Sequence, residues 1–310
     1  MNHKNYDVII IGAGIAGSYL SCQLIRSGIK TILIEKSRGV GGRFSTKPIG
    51  FNLADYGCQY LDPKTKELKK LIQELQDKSI LEALVIDSGK KVYISPYGMN
   101  KIPKYLAMET PVILNEFVRS LVFRENFWTV FTKSLSINAK YVILTMPIQQ
   151  VEDLLYKSNS LIYKLPKPVF KSFYTVTFEA GTFTNNKSID KSDELSWICN
   201  NTAKGLRNNR DVFTANISSE ISEQIKILSF QSRVKKIREI LLKSGFQTIK
   251  NFSQHYWKYA FSTDQKNIDY IYDKEKRLGI CGDSFSIGRV DGAIKSSKLI
   301  SQEIISGNLK

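Results

Sequence analysis

The segment Val8-Ile9-Ile10-Ile11-Gly12-Ala13-Gly14-Ile15-Ala16-Gly17, closed by Ile34-Glu35, constrains the fold of this chain more than any other part of it. Branched apolar residues without polar alternation read as a strand buried on both faces. The glycines then read as a tight turn into a helix over Ile15 to about Ser27, and the run ending at Ile34 as a second strand. Gly12 serves the turn, Gly14 lets a pyrophosphate approach the backbone, and Gly17 lets helix and strand pack closely. Ile15, Ala16 and Gly17 open the helix, whose free N–H groups and positive dipole end face that pyrophosphate. Glu35 stands where a carboxylate accepts from ribose hydroxyls, which favours FAD or NAD over NADP. The fingerprint alone does not separate the first two.

Two further segments extend this reading. Lys36-Ser37-Arg38-Gly39-Val40-Gly41-Gly42-Arg43 replaces the helix expected of a plain NAD dehydrogenase with a glycine-rich loop ending in a forked donor. Taken alone, the same run also reads as a surface loop with one exposed arginine. Near the other end, Arg277-Leu278-Gly279-Ile280-Cys281-Gly282-Asp283 reads as a short buried strand. After it, Gly288 to Gly292 leads into an amphipathic helix over Ala293 to Ile305, with Ile294, Leu299, Ile300 and Ile304 on its apolar face. A second helix start beside an aspartate suits a ribityl chain and a flavin carbonyl.

These motifs, with Asp55-Tyr56-Gly57-Cys58-Gln59-Tyr60, resemble the flavin amine oxidase superfamily and, more narrowly, the renalase-like oxidases. Tyr97 to Pro103, Thr145 to Gln150 (read as a strand end), Ser196-Trp197-Ile198 and His255-Tyr256-Trp257-Lys258-Tyr259-Ala260 support the narrower match. The resemblance thins over residues 205–250. The chain departs at Cys58, where the family often has Ala, and at Ser297, where it often has Gly.

The resemblance implies an α/β fold: a Rossmann-like FAD-binding domain of the glutathione-reductase and amine-oxidase type plus a smaller mixed-sheet α+β substrate domain. The first is expected to be discontinuous, over 1–63, 97–157 and 274–310, and the second to take 64–96 and 158–273. Non-covalent FAD would touch Gly12, Gly14, Ile15, Ala16, Gly17, Glu35, Lys36, Gly41, Gly42, Arg43, Gly57, Cys58, Gln59, Tyr60, Val118, Gly282, Asp283, Gly292 and Ala293. For Val118, in a strand over Val118 to Phe123, an ordinary core valine fits equally well. His255, Trp257 and Tyr259 are the substrate-side candidates, flat rings with polar tips that also suit a simple buried strand face. Trp197 reads as core.

The chain offers no Gly-x-Ser-x-Gly elbow and no metal-ligand spacing; Cys22, Cys58, Cys199 and Cys281 are scattered, with only His3 and His255 beside them. Scattered thiols suit a reducing compartment, and the cytoplasm is the expected location. The net charge of +16 comes from dispersed residues with no block of like charge, so no nucleic-acid or membrane partner is expected. The resemblance implies hydride transfer from a small reduced substrate, a dihydronicotinamide dinucleotide isomer, to FAD, with O2 as the acceptor giving H2O2. An amine or polyene oxidised on the same scaffold is the alternative, and a non-catalytic basic interaction protein the remote one.

Overall fold

The computed structural model describes residues 6–86, 88–158, 165–181, 193–264 and 268–308. His3 lies outside the described residues. Strand β1 (Tyr6–Ile11), helix α1 (Ile15–Arg26) and β2 (Thr31–Ile34) form the expected βαβ unit. A hairpin of β3 (Thr46–Ile49) and β4 (Asn52–Asp55) follows, then α2 (Lys66–Asp77) and a hairpin of β5 (Glu82–Val85) and β6 (Lys91–Ile94). Helix α3 (Lys101–Leu106) leads to β7 (Val112–Ile113), β8 (Ser120–Arg124), β9 (Phe127–Phe131), β10 (Ser136–Leu144) and α4 (Ile148–Lys157). The next stretch holds β11 (Phe170–Ala180), β12 (Leu195–Asn200), β13 (Val212–Ile217), α5 (Ser219–Lys226), α6 (Phe230–Lys243) and β14 (Ile249–Ser262). Last come β15 (Ile271–Asp273), β16 (Leu278–Ile280) and α7 (Arg289–Asn308).

The first sheet runs β15-β16-β10-β1-β2-β7, with β9 beside β10 and β8 beside β9. Strand β1 lies parallel to both β2 and β10, which puts a crevice past its carboxyl end, where open α/β sheets generally bind ligands. Alternation along buried strands sends neighbouring residues to opposite layers. Val8, Ile10, Leu33 and Ile143 pack with Leu20 and Leu24 of α1 and Ile300 and Ile304 of α7. Ile9, Ile11, Ile32, Ile34, Val142 and Leu144 pack with Trp128, Val130, Val151 and Leu154 on the other side. Leu299, expected on the apolar face of α7, is only half-buried.

The second sheet runs β12-β13-β11-β14, all antiparallel. One face (Tyr174, Val176, Phe178, Phe213, Ala215, Ile217) is sealed by α5 and α6 through Ile225, Ile237, Ile240 and Leu241. The other presents Phe173, Thr175, Asn216, His255 and Trp257, in register across the strands. Trp197 pairs with Asn216 and is half-buried on this open face, whereas its neighbour Ile198 packs towards the helices. The expectation of a core tryptophan is therefore corrected by strand alternation.

Several boundaries differ from expectation for identifiable reasons. Strand β10 starts at Ser136 because it pairs antiparallel with β9 before it pairs parallel with β1. Thr145 to Gln150 is not a strand end throughout: the strand stops at Leu144, and Gln149 and Gln150 lie in the first turn of α4, behind Pro147 as N-cap. Val118 precedes β8 and is buried against the first sheet. Helix α7 begins at Arg289, ahead of Ala293. Residues 64–96, expected with the substrate domain, pack Leu68, Leu71, Ile72 and Leu75 of α2 against Tyr19 and Cys22 of α1 and Ile294 of α7. Thr65 caps α2, a contribution of about 1 kcal/mol, and is itself held by Asp291 of α7. Strand β15 belongs to the first sheet although it precedes the boundary expected at 274.

Candidate functional site

The glycine turn after β1 has the shape its sequence requires. Gly12 sits at φ +107°, and a Cβ on Gly17 would stand 1.9 Å from the Gly12 carbonyl oxygen, so helix and turn touch backbone to backbone. A Cβ on Gly14, by contrast, would meet nothing within 4 Å. That open space lies at the N-terminus of α1, where Gly14 is the N-cap without a side-chain hydrogen bond. Free N–H groups of Ile15, Ala16 and Gly17 therefore border a space that a phosphate fits.

Glu35 is buried at the end of β2, with one carboxylate oxygen accepting from Ala13 N at 2.8 Å and the other from Ser37 N at 2.8 Å. A carboxylate accepts about four hydrogen bonds, so this one is oriented by the backbone with capacity left for ribose hydroxyls. Lys36 is exposed and donates to Gln150 Oε1 at 3.0 Å, away from the turn. The loop that follows lies on the fingerprint: Gly41 N donates to the Ala13 carbonyl at 2.9 Å, and a Cβ on Gly42 would come 3.2 Å from Gly14 Cα.

Arg43 is not a free donor. Its guanidinium forks onto Asp283, with Nη1–Oδ2 at 2.6 Å and Nη2–Oδ1 at 2.5 Å, and Nη1 also reaches the Tyr259 and Ala260 carbonyls at 3.2 and 3.3 Å. Three distant segments therefore meet at one side chain: the glycine loop, the turn after β16, and β14. Gly282 is held by Ser296 Oγ of α7, which accepts from its N–H at 3.0 Å. Gly292 and Ala293 lie in the first turn of α7, where a Cβ on Gly292 would stand 2.3 Å from the Phe285 carbonyl oxygen.

The turn after β4 packs under the same loop. Cys58 N donates to the Arg43 carbonyl at 2.7 Å, and a Cβ on Gly57 would fall 2.0 Å from that oxygen. Burial pushes the Cys58 thiol up to about 12, which holds it protonated at neutral pH. Gln59, expected at the flavin, instead spends its amide inside the turn: Nε2 donates to the Asp55 carbonyl at 2.6 Å and Oε1 accepts from Lys204 Nζ at 3.0 Å. Tyr60 is partly exposed and stands apart from the aromatic cluster below.

Lys204 is the residue the sequence reading missed. Its ammonium meets Asp55 Oδ2 at 2.8 Å with side chains 4% and 0% exposed, while Asp55 Oδ1 accepts from Thr46 Oγ1 and Met99 N. The pair bolts the loop after β12 to the turn at Gly57. Nothing local marks a lysine whose partner lies so far away in sequence.

On the open face of the second sheet, His255, Trp257 and Tyr56 form one aromatic cluster. Trp257 stacks on Tyr56 (5.5 Å, 25°), His255 meets both edge-on at 4.2 and 5.4 Å, and Trp257 Nε1 donates to the Tyr56 carbonyl at 3.0 Å. Partial desolvation, then the nearby charge of Lys47, pulls the His255 pKa below its usual value, so the ring is neutral at pH 7. Tyr259 is separate: its ring packs edge-on to Phe170 at 5.6 Å, and its carbonyl serves Arg43.

A description of NAD(P)-binding Rossmann-like domains matches residues 10–75, and that of flavin-containing amine oxidoreductases matches residues 78–305. A putrescine oxidase from Kocuria rosea is 30% identical over 92 residues, 30% of this chain and 19% of that protein. A digeranylgeranylglycerophospholipid reductase from Methanocaldococcus jannaschii is 26% identical over 212 residues, 64% of this chain and 51% of that protein. The chain thus spans from about a fifth to about half the length of these relatives. Among solved structures, putrescine oxidase bound to putrescine superposes with TM-score 0.73 at 15% identity, covering 97% of this chain and 99% of that one. Cyclohexylamine oxidase from Brevibacterium oxydans IH-35A gives 0.71 at 12% identity, covering 98% and 100%. No helix among the described residues is long and apolar enough to cross a membrane. Because the matching description spans more than half its length, the chain belongs to the flavin-containing amine oxidoreductase family.

Proposed function

We propose that the protein is an FAD-dependent oxidase that takes a hydride from a small reduced substrate, a dihydronicotinamide isomer, as renalase-like enzymes do. The observation that carries the reading is the meeting of the His255–Trp257 wall with the Tyr56–Gly57 turn through the Trp257 Nε1–Tyr56 bond. It sets flat rings beside the turn that joins the flavin cradle. When bound, FAD would supply the two-electron acceptor for the hydride, so that O2, both electrons and one proton from solvent give H2O2.

The chain's own residues hold and orient. The Gly12–Gly17 turn and the α1 N-terminus would hold the pyrophosphate, and Glu35 the adenosine ribose. Asp283, braced by Arg43, would take ribityl hydroxyls, and the first turn of α7 at Gly292 and Ala293 the ring carbonyl where negative charge gathers on reduction. On the substrate side, Trp257, Tyr56 and His255 would align a planar ring by its face.

The open face favours a dihydronicotinamide over an amine in two respects. None of Phe173, Thr175, Asn216, His255 and Trp257 is acidic, and Glu179, the acid further along the same face of β11, is buried and engaged by Asn52 and Asn251. A dihydronicotinamide also releases its hydride by lone-pair push from its own ring nitrogen, so no protein base is needed. The second reading, an amine substrate, is favoured by the likeness to putrescine oxidase. Aerobic turnover decides between them: the first reading expects one H2O2 and one oxidised nicotinamide per dihydronicotinamide consumed, and H2O2 formation from amines alone contradicts it.

A further inference from the structure

Beside the cradle and the aromatic wall, Lys47 is a cation whose contacts include no carboxylate. Lys47, on β3, is half-buried; its Nζ donates to Ser253 Oγ at 2.8 Å and stands 4.4 Å above the centre of the Tyr56 ring. Neither contact is negatively charged. Desolvation lowers its pKa to about 8, so burial is not offset by a carboxylate. Lys204, the other lysine drawn into this region, illustrates the contrast, since its ammonium rests on Asp55. A desolvated ammonium beside Tyr56, whose ring stacks on Trp257, is suited to an anion that arrives with a ligand.

We propose that Lys47 is the anion subsite of the substrate pocket, receiving a phosphate group of a nucleotide whose flat ring lies on the His255–Trp257 wall. The proposal rests on the reading of that wall as the substrate side. The competing cation is Arg289, exposed at the far end of β14 with its guanidinium 5.4 Å from the Phe261 ring centre. Lys47 stands by Tyr56 and Trp257 and Arg289 by Phe261, four residues further along β14, so removing each in turn separates them.

The test uses FAD-loaded protein and reads binding from the flavin difference spectrum, with NAD+, nicotinamide riboside and inorganic phosphate as probes. Lys47→Met is expected to weaken NAD+ at least about tenfold, and Lys47→Arg to restore it to within about threefold. Nicotinamide riboside, which has no phosphate, is expected to bind all variants equally. Inorganic phosphate should compete with NAD+ in the parent protein and not in Lys47→Met. Equal NAD+ affinity in the parent and Lys47→Met overturns the proposal, as does loss in Arg289→Gln alone, or failure of the parent to bind either NAD+ or phosphate. A Lys47→Met protein that loses flavin leaves Lys47→Arg decisive: unrestored NAD+ binding with an unaltered flavin spectrum also overturns it. The two readings fail separately. Lys47-dependent NAD+ binding without dihydronicotinamide oxidation refutes the substrate, whereas such oxidation with Lys47-independent binding refutes the subsite.

Discussion

Replacing Lys204 with Met keeps the length of the aliphatic stem and removes the charge. Asp55 would then remain fully buried, with only Thr46 Oγ1 and Met99 N to satisfy its carboxylate. Breaking a buried pair by removing one partner costs about 3–5 kcal/mol, because the surviving charge has lost its counter-ion. A surface pair such as Lys226–Glu223, with side chains 48% and 51% exposed, sets the contrast, since such pairs contribute about 0–1 kcal/mol. The assay is urea unfolding of the FAD-free protein, with Lys204→Met, Asp55→Asn and the double variant compared at constant m. Less loss in the double variant than the sum of the singles, by about 1–3 kcal/mol, measures the coupling. Because Gln59 and Gly57 share the same network, Lys204→Met should also alter the visible spectrum of the loaded flavin. A cost below about 1 kcal/mol with an unaltered spectrum would refute the argument that this pair sets the turn.

Three other outcomes follow from the geometry. Glu35→Ala removes an oriented acceptor for ribose and should raise the FAD dissociation constant about tenfold or more in a fluorescence titration; unchanged affinity contradicts the ribose assignment. Gly57→Ala puts a methyl 2.0 Å from the Arg43 carbonyl oxygen and should yield protein without flavin, whereas Gly39→Ala, with nothing within 4 Å, should load normally; equal loading of both would be contrary. The His255 ring should titrate by NMR below 6.5, and Lys47→Met should move the midpoint upward because a neighbouring positive charge is gone; a midpoint at or above 6.5 in the parent argues against the clustering.

The sequence carried the parts whose physics is local. Val8 to Ile11 had to be a doubly buried strand, and the spacing of Gly12, Gly14 and Gly17 fixed the turn and the start of α1. What stayed hidden is made by tertiary contact. Lys204 is unremarkable until the fold brings Asp55 to it, and Arg43 looks like a phosphate donor until Asp283 meets it. Gln59 carries a side chain suited to a ligand, yet the turn uses it first. The α7 boundary was misplaced because Gly288 and Gly292 read as loop, although Gly292 N donates to the Gly288 carbonyl at 2.7 Å inside the first turn.

The central claim is that the aromatic wall presents a reduced nicotinamide ring to the flavin. It is tested most directly by mixing FAD-loaded protein with 2- and 6-dihydro-NAD under anaerobic conditions and following flavin absorbance in a stopped-flow instrument. Rapid bleaching by at least one isomer is expected, with formation of an equal amount of NAD+. Rapid bleaching by amines, and by neither isomer, would contradict it.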